Sequence, residues 1–351
     1  MKCIRPKRAA KGITMARQQW SVEQANAWAA EQPWFFGANF TPSTAINQLE
    51  MWQAETFDPE TIDRELGYAQ GIGMNIMRVY LHDLLWEHDR EGFIERIERY
   101  LAIADARGIR TMFVLFDDCW HGGFSLGPQP APKPYTHNSG WLQSPGHAIA
   151  EDPAQWPRLQ QYVTELLTHF KADPRVVVWD LYNEPGNGEG VGSSRRGKSI
   201  PLVDAAFAWA RSVDGLTQPL TVAYWWPHEE LERCTFGNSD IVTFHAYSAP
   251  DGDQAEKLEK CLSHGRPVIC TEYMARTHGS TFAACTPILR QRCAGAINWG
   301  LVSGKTQTIY PWGWSEDKGD PPAWFHDIFN PDGTFLYPEE AEDICRATAQ
   351  G

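Results

Sequence analysis

The chain has 351 residues, 42% of them hydrophobic and 21% charged, so it is long enough to bury a large core. Its 31 Lys and Arg against 44 Asp and Glu give a formal net charge of −13, which argues against a protein that neutralises nucleic-acid phosphates. No apolar run reaches the roughly 18 residues of a membrane-spanning helix. Length alone suggests two domains, but an α/β barrel of this size would be a single domain, so the number of domains is left open at this point.

The N-terminal segment is basic but lacks the apolar stretch of a secretory signal peptide. As written, the sequence therefore predicts a cytoplasmic protein, whereas a different true start would favour the periplasm. We expect residues 1–30 to form an N-terminal extension, poorly ordered at its start, and residues 31–351 to form the main domain. The eight cysteines show no zinc-like spacing, so we expect reduced, buried thiols and leave a single disulfide open.

Short β-rich runs alternate with helical patterns about eight times along the chain. The predicted strands are Trp34–Phe40, Asn75–Tyr80, Thr111–Phe116, Val176–Leu181, Leu220–Tyr224, Ile241–Phe244, Val268–Thr271 and Ala296–Trp299. Among the helices, one begins at Asp58, an N-cap residue followed by proline at the first helical position. Another spans roughly Phe93–Arg107. A third, from about Leu159 to Phe170, has its apolar side chains on a single face.

Long loops follow several of these strands. The longest, from Asp117 to about Pro157, is rich in Gly, Pro, His and Trp, and a loop of this length is usually functional. The glycines after the fourth strand, which indicate a flexible loop, are Gly186, Gly188, Gly190 and Gly192. No phosphate-binding turn follows the first strand, and no linker divides the chain. Repeated β–α units therefore predict an α/β protein, a single-domain (β/α)8 TIM barrel with long loops at its C-terminal mouth.

Polar side chains follow the predicted strands at the ends that a barrel brings to one mouth. In chain order they are Arg78, Asp117, Asp118, Trp120, His121, Asn183, Glu184, His245, Tyr247, Glu272 and Trp299. Glu184 and Glu272 come from the fourth and seventh strands, on opposite sides of a closed barrel. Hydrolysis of a glycosidic bond needs such a pair of carboxylates, one to protonate the leaving oxygen and one to attack or to activate water. The pattern therefore predicts a glycoside hydrolase.

Four segments at these strand ends carry a family resemblance. The segments are Trp179-Asp-Leu-Tyr-Asn183-Glu184-Pro185, His245-Ala-Tyr247, Thr271-Glu272-Tyr273 and Ile297-Asn-Trp299. They resemble the clan A retaining glycoside hydrolases, most of all family five, the family of cellulases and mannanases. The resemblance covers the chain from about residue 34 to 345 and implies catalysis without a cofactor or metal. The sequence also has no metal-ligand spacing such as H-E-x-x-H.

The resemblance implies that Glu184 is the catalytic acid/base and Glu272 the nucleophile. Desolvation and the second carboxylate would raise the pKa of Glu184 and keep it protonated near neutral pH. Arg78 would keep Glu272 ionised, and Tyr247 would donate a hydrogen bond to it.

Three further substrate contacts follow from the same resemblance. Asn183 resembles the donor to the sugar 2-hydroxyl, an interaction that strengthens in the oxocarbenium-like transition state. His245 would orient the acid/base and bind substrate. Trp299 would form the floor on which the cleaved sugar stacks.

The end of the third strand departs from the family pattern, because many members have a histidine there. This chain has Asp117-Asp118-Cys119-Trp120-His121-Gly-Gly instead, which resembles the mannan-cleaving branch. We therefore predict that Asp118, Trp120 and His121 contact the sugar, the aspartate through charge-assisted hydrogen bonds. The alternative for Asp118 is a structural cap of the loop.

Other residues near the mouth are candidates for the cleft edge. These are Trp225 and Trp226 after the fifth strand, Trp312 and Trp314 after the eighth, and Lys305 and Gln307 in the loop between. Aromatic rings stack on the apolar faces of pyranoses, but for each of these tryptophans core packing is an equal alternative. We include Trp226 and Lys305 among the predicted substrate-binding residues.

Long mouth loops favour a pocket, and hence exo action on short oligosaccharides. We predict a retaining exo-β-mannosidase, with Man-β-1,4-GlcNAc of N-glycan cores as one candidate substrate. The expected partner is a neutral oligosaccharide, with no nucleic acid and no membrane, and the oligomeric state is left open. The alternatives are an endo-β-1,4-glycanase acting on mannan, glucan or xylan, and a non-catalytic carbohydrate-binding barrel. Sequence does not separate hydrolysis from transglycosylation, which uses the same covalent intermediate.

Overall fold

The computed structural model describes residues 16–188 and 194–348, and within them the strands form one parallel sheet. The strands are β1 (Phe36–Asn39), β2 (Ile76–Tyr80), β3 (Arg110–Val114), β4 (Val176–Asp180), β5 (Leu220–Thr221), β6 (Ala223–Tyr224), β7 (Val242–His245), β8 (Val268–Glu272) and β9 (Gly295–Trp299). β5 and β6 are the two halves of one barrel strand, interrupted at Val222: β5 pairs with β4, and β6 pairs with β7. Because β1 also pairs with β9, the sheet closes. The predicted (β/α)8 barrel is confirmed.

Helices alternate with the strands and cover the barrel. Those in the described ranges are α1 (Val22–Ala30), α2 (Gln48–Trp52), α3 (Pro59–Gly71), α4 (Asp83–His88), α5 (Arg90–Ala106), α6 (His147–Ala150), α7 (Trp156–Phe170), α8 (Ile200–Arg211), α9 (Glu229–Asn238), α10 (Ala255–Leu262), α11 (Phe282–Gln291) and α12 (Glu340–Thr348). α3 begins as predicted, with Asp58 accepting a hydrogen bond from the amide of Thr61. None of these described helices is long and apolar enough to cross a membrane.

The barrel is filled by apolar side chains, and its N-terminal end is covered by α1. Ser21 caps this helix, in a reciprocal pair of hydrogen bonds with Gln24. Ala25 is buried, and it belongs to one cluster with Ile76 and Ile297 from the strands. Residues 16–30, which belong to the predicted extension, therefore pack against the barrel. Gly190 and Gly192 of the predicted flexible loop lie outside the described residues.

Two long loops stand at the opposite, C-terminal end. We call residues 115–155, between β3 and α7, the β3 loop, and residues 300–339, between β9 and α12, the β9 loop. The amide of Asn138 donates to the Thr306 carbonyl over 2.9 Å, and Gln307 Nε2 donates to the Lys133 carbonyl over 2.6 Å. His137 Nδ1 lies 2.8 Å from the Tyr310 carbonyl oxygen. The two loops are therefore joined by hydrogen bonds along one side of the mouth.

Candidate active site

A cavity of about 480 Å³ lies at the C-terminal ends of the strands. Its lining includes Cys119, Trp120, His137, Asn138, Trp141, Asn183, Glu184, Asn187, Trp225, His245, Tyr247, Lys257, Glu272, Trp299 and Trp312. Carboxylate, imidazole and amide groups thus face a space whose walls are largely indole rings. Mostly apolar walls with a few convergent polar groups are typical of ligand sites.

Glu272 is the last residue of β8, and its carboxylate is held by three donors. Arg78 donates to Oε1 over 2.7 Å, and the Tyr80 hydroxyl donates to the same oxygen over 3.0 Å. The Tyr247 hydroxyl donates to Oε2 over 2.7 Å. Burial raises the pKa of both phenols, so each keeps its proton and donates. Three donors, one of them cationic, stabilise a charged carboxylate in one orientation.

Arg78 lies below Glu272 and is fully buried inside the barrel. Its NH2 group contacts Asp180 Oδ2 over 2.7 Å and Asn183 Oδ1 over 2.8 Å, while NH1 contacts Asn39 Oδ1 over 2.9 Å. The guanidinium therefore joins β1, β4 and β8 from its position on β2. Arg78 is not among the residues that line the cavity. It therefore positions the Glu272 carboxylate from the barrel interior and does not itself face the cavity.

Glu184 lies four residues after β4, in a left-handed backbone conformation with φ of 42°. Asn187 Nδ2 donates to its Oε2 over 2.6 Å, and the Cys119 thiol approaches the same oxygen at 3.2 Å. Burial raises the pKa of Glu184, which favours the protonated form near neutral pH. Strained backbone at a reactive side chain is common in active sites. Glu184 therefore has the environment of a general acid.

His245 ends β7 and lies between the two carboxylates. Its Nδ1 is 2.8 Å from Glu184 Oε1 and 3.4 Å from Glu272 Oε2. Burial lowers the pKa of His245 to about 3, so the imidazole is neutral at neutral pH. A neutral imidazole nitrogen either donates to an ionised Glu184 or accepts from a protonated one. His245 thus orients Glu184 without adding a charge.

The two carboxylates are close together. One oxygen of Glu184 and one of Glu272 lie within 4.8 Å of each other and of a His245 nitrogen. These three side chains are the group, within the described ranges, whose spacing would suit a metal ion. A guanidinium at 2.7 Å already neutralises Glu272, however, and repels a further cation. The arrangement fits an acid and a nucleophile better than a metal centre.

Asp118 lies outside the cavity, although it was predicted to bind sugar. Its buried carboxylate accepts hydrogen bonds from the Tyr182 hydroxyl over 2.7 Å, from the Gly186 amide over 2.7 Å and from Ser199. Through these hydrogen bonds, the Asp118 carboxylate holds the β3 loop against the segment that follows β4. The position of Asp118 therefore agrees with the alternative interpretation of the sequence, in which this residue is a structural cap of the loop and does not bind sugar.

Other predicted contacts divide between the cavity and its surroundings. Trp120 lines the cavity, whereas the neighbouring His121 is exposed. Trp226 is 44% exposed beside Trp225, which does line the cavity. Lys305 is held 2.5 Å from Glu50, away from the cavity. His121, Trp226 and Lys305 therefore do not reach the lining in this structure.

Several lining or supporting residues were not singled out from the sequence, namely Tyr80, Cys119, His137, Asn138, Trp141 and Asn187. For Tyr80 a signal existed, because it stands two positions after Arg78 on one strand and so faces the same side. The others come from loops, where no periodicity indicates which side chains face inward.

Comparisons with known proteins agree at the level of the fold. No protein-family model matches the sequence, and neither does any curated protein. Among solved structures, a GH5_18 variant from Streptomyces cattleya in complex with Manb1-4GlcNAc is 14% identical, with a TM-score of 0.62, over 90% of this chain and 80% of that chain. The endo-beta-1,4-mannanase from Thermotoga petrophila is 15% identical, with a TM-score of 0.58, over 92% of this chain and 77% of that one.

A third similar structure is a GH5_18 variant from Bifidobacterium longum subsp. longum, also in complex with Manb1-4GlcNAc. It is 15% identical, with a TM-score of 0.58, over 91% of this chain and 78% of that chain. The three structures belong to the kind of enzyme that the sequence motifs resemble, and their similarity supports the barrel that was predicted from the repeated β–α units. At these identities the similarity establishes the fold, and the chemistry is argued from the site.

Proposed function

We propose that this chain is a retaining glycoside hydrolase that removes terminal β-mannosyl residues from short oligosaccharides. The observation that carries the proposal is the pair Glu184 and Glu272, with carboxylate oxygens within 4.8 Å of each other in one cavity. Retaining enzymes separate these carboxyls by about 5–5.5 Å, whereas inverting enzymes leave about 6.5–9.5 Å for a water molecule. The short separation favours direct attack by one carboxylate.

In the first step, Glu272 attacks the anomeric carbon of the sugar. As the bond from that carbon to the leaving oxygen breaks, Glu184 transfers its proton to this oxygen, and a covalent glycosyl ester on Glu272 remains. Arg78 and the two phenols hold the attacking carboxylate in place, while the raised pKa of Glu184 keeps its proton available.

In the second step, the ionised Glu184 accepts a proton from water, whose oxygen attacks the anomeric carbon. The ester bond breaks and returns the carboxylate of Glu272. In this proposal Asn183 supports both steps. Its side-chain amide donates to Asp117 Oδ1 and accepts from Arg78, and the residue lines the cavity. A sugar hydroxyl in place of water would give transglycosylation through the same intermediate.

Exo action is supported by the joined β3 and β9 loops. They form the side of the mouth next to Trp120 and Trp312, and hydrogen bonds fix them to each other. An endo-acting enzyme needs a groove open at both ends for a polymer. The choice of mannosides rests on the β3 loop motif, and structures of similar fold hold Manb1-4GlcNAc.

A substrate panel tests this proposal. Purified enzyme would be assayed on p-nitrophenyl β-mannoside, β-glucoside and β-xyloside, and on mannobiose, Man-β-1,4-GlcNAc and mannan. We expect mannose as the product, released first as the β-anomer in NMR spectra. Release of the α-anomer would contradict retention, and cleavage of mannan without mannose release would favour the endo-glycanase alternative.

The variant that tests the nucleophile is Glu272→Gln, which removes the negative charge of the attacking carboxylate but keeps the size of the side chain. We expect kcat to fall by at least about 10³-fold, because the covalent step loses its nucleophile. Glu259→Gln, on the exposed surface of α10, is the control and should retain full activity. Activity in Glu272→Gln at the wild-type level would refute the nucleophile assignment.

A further inference from the structure

We propose that His137 and Asn138, on the β3 loop, determine specificity by accepting hydrogen bonds from hydroxyl groups of the terminal sugar. The inference rests on the proposed function, because it concerns the sugar that such a hydrolase would hold. Neither residue belongs to the motifs from which the resemblance was drawn.

His137 presents an acceptor. Its Nδ1 lies 2.8 Å from the carbonyl oxygen of Tyr310, and because a carbonyl only accepts, Nδ1 carries the proton. Burial lowers the pKa of His137 to about 4, so the ring is neutral and Nε2 has a free lone pair. No described residue donates a hydrogen bond to Nε2, and His137 lines the cavity.

Asn138 presents a second acceptor at the next position. Its Oδ1 is buried and has no hydrogen-bond partner, although the residue lines the cavity. Its backbone amide donates to the Thr306 carbonyl, which fixes the residue in a left-handed conformation with φ of 48°. Buried polar atoms in proteins are nearly always paired, so the unpaired Oδ1 of a residue that lines the cavity is available to accept a hydrogen bond from a bound ligand.

Both residues lie on the side of the cavity next to Glu272. The Asn138 carbonyl accepts a hydrogen bond from the Trp141 amide over 3.1 Å. Trp141 packs against Tyr80, which donates to Glu272.

The His137 ring packs against Trp312, with centroids 6.2 Å apart, and Trp312 packs against Tyr247 at 4.9 Å. Tyr247 in turn donates to Glu272. The sugar that becomes attached to Glu272 must occupy this side, so these acceptors face the terminal sugar.

The opposite side of the cavity is formed by different residues. Trp225 donates through its indole N–H to the Pro185 carbonyl, next to Glu184, and Lys257 donates to the Trp225 carbonyl. The leaving group departs beside the acid, so this side would receive the aglycone.

Two acceptors on one wall require donors from the ligand. A neutral sugar offers hydroxyl groups, and the ones far from the anomeric carbon are those at positions 3, 4 and 6. A further sugar attached at the hydroxyl that His137 or Asn138 binds would remove its donor proton. The pair therefore selects an unsubstituted, non-reducing terminal sugar.

The test compares p-nitrophenyl β-mannoside with its 3-deoxy, 4-deoxy and 6-deoxy analogues. His137→Phe keeps an aromatic ring against its neighbours and removes both nitrogens. Asn138→Gly removes the amide at a φ that glycine adopts without strain, and Asn138→Asp restores an acceptor oxygen. His121→Phe, on the same loop but exposed, is the matched control.

We expect the wild-type enzyme to prefer the parent glycoside over at least one deoxy analogue by roughly 10- to 100-fold in kcat/KM, because that analogue leaves an acceptor unpaired. His137→Phe and Asn138→Gly should each reduce this ratio about tenfold for one analogue. Asn138→Asp and His121→Phe should keep it. Wild-type ratios in both cavity variants would overturn the inference while the proposed function stands. A wild-type enzyme that releases no sugar from the parent glycoside would overturn the proposed function, and this inference with it.

Discussion

The chemistry of this site depends on giving two glutamates opposite environments a few ångströms apart. Glu272 receives a guanidinium and two phenol donors, which stabilise its charge. Glu184 is buried, and it is contacted by the neutral imidazole of His245, the side-chain amide of Asn187 and the thiol of Cys119. Contrasting environments of this kind suit two neighbouring carboxyl groups to the roles of acid and nucleophile that we propose.

Cys119 offers a test of how Glu184 is tuned. Its thiol lies 3.2 Å from Glu184 Oε2, and burial raises the pKa of the thiol well above its usual range, so it donates S–H to the carboxylate. This hydrogen bond favours the ionised acid. In Cys119→Ala we therefore expect the alkaline limb of kcat/KM to move about 0.5 to 1 pH unit higher.

The control variants separate this effect from packing. Cys119→Ser keeps a donor and should keep the limb near its wild-type pH, while Cys293→Ala alters an exposed thiol and should change nothing. An unmoved limb in Cys119→Ala, or one displaced to lower pH, would contradict the assigned hydrogen bond.

The cavity residues at the strand ends were predictable because each ends or follows a strand whose pattern is clear in the sequence. Asn183, Glu184, His245, Tyr247, Glu272 and Trp299 all line the cavity. Asp118 stands next to such residues in sequence, yet its carboxylate faces Tyr182 and Ser199. The orientation of the Asp118 side chain depends on the path of the loop backbone, which turns at Trp120, where φ is 69°. No periodic pattern in the sequence encodes such a turn.

At the scale of the elements, β1 depends on a close approach to β2. Gly37 pairs with Ile76, and a Cβ added at Gly37 would lie 1.7 Å from the Ile76 carbonyl oxygen. We expect Gly37→Ala to destabilise the fold by on the order of 3 kcal/mol or more, a fall in Tm of roughly 5–10 °C.

Gly71 supplies the matched substitution for this test. It lies in α3 with nothing within 4 Å of an added Cβ. Gly71→Ala should leave Tm unchanged or raise stability by up to about 1 kcal/mol, because alanine is the better helix former. Equal Tm values for the two variants would show that the β1–β2 contact is less tight than described.

The strands and the three helices predicted from the sequence match the structure to within a few residues, whereas the other helices were given no bounds and loop structure was not predicted. α7 buries the face that its sequence spacing predicts, from Leu159 to Phe170. The β3 loop was predicted only to be long and functional. Its junction with the β9 loop depends on side chain to backbone hydrogen bonds, such as that of Gln307, between segments about 170 residues apart in sequence. Contacts of this kind leave no local signal.

At the scale of the whole molecule, buried carboxyl groups make stability depend on pH. Burial raises the pKa of Glu65, on α3, to about 7 from its ordinary 4.5. A folded-state pKa above the unfolded one means that this stability is fully present below about pH 4.5 and is lost as pH rises through about 7. The expected loss at Glu65 is on the order of 3 kcal/mol.

Thermal unfolding between pH 5 and 8 measures this effect. Glu65→Gln keeps an acceptor for Ser43 but cannot ionise, so its Tm should fall less with rising pH than that of the wild type. Asp117 and Asp327, whose pKa values burial raises to about 7, remain in both proteins and cancel in the comparison. Glu95→Gln on the exposed face of α5 should follow the wild type. Parallel curves for wild type and Glu65→Gln would refute the assignment.

The barrel strand that is interrupted at Val222 has short pairings on both sides. β5 and β6 each contribute two residue pairs to their neighbours, as β8 and β9 do to each other, whereas β2 and β3 share five. We expect thermal opening to begin at the short pairings, and opening at Val222 would free the edges of β4 and β7 while β1, β2 and β3 remain paired. Unpaired strand edges on separate molecules can pair with one another, so we expect partial opening on heating to lead to aggregation.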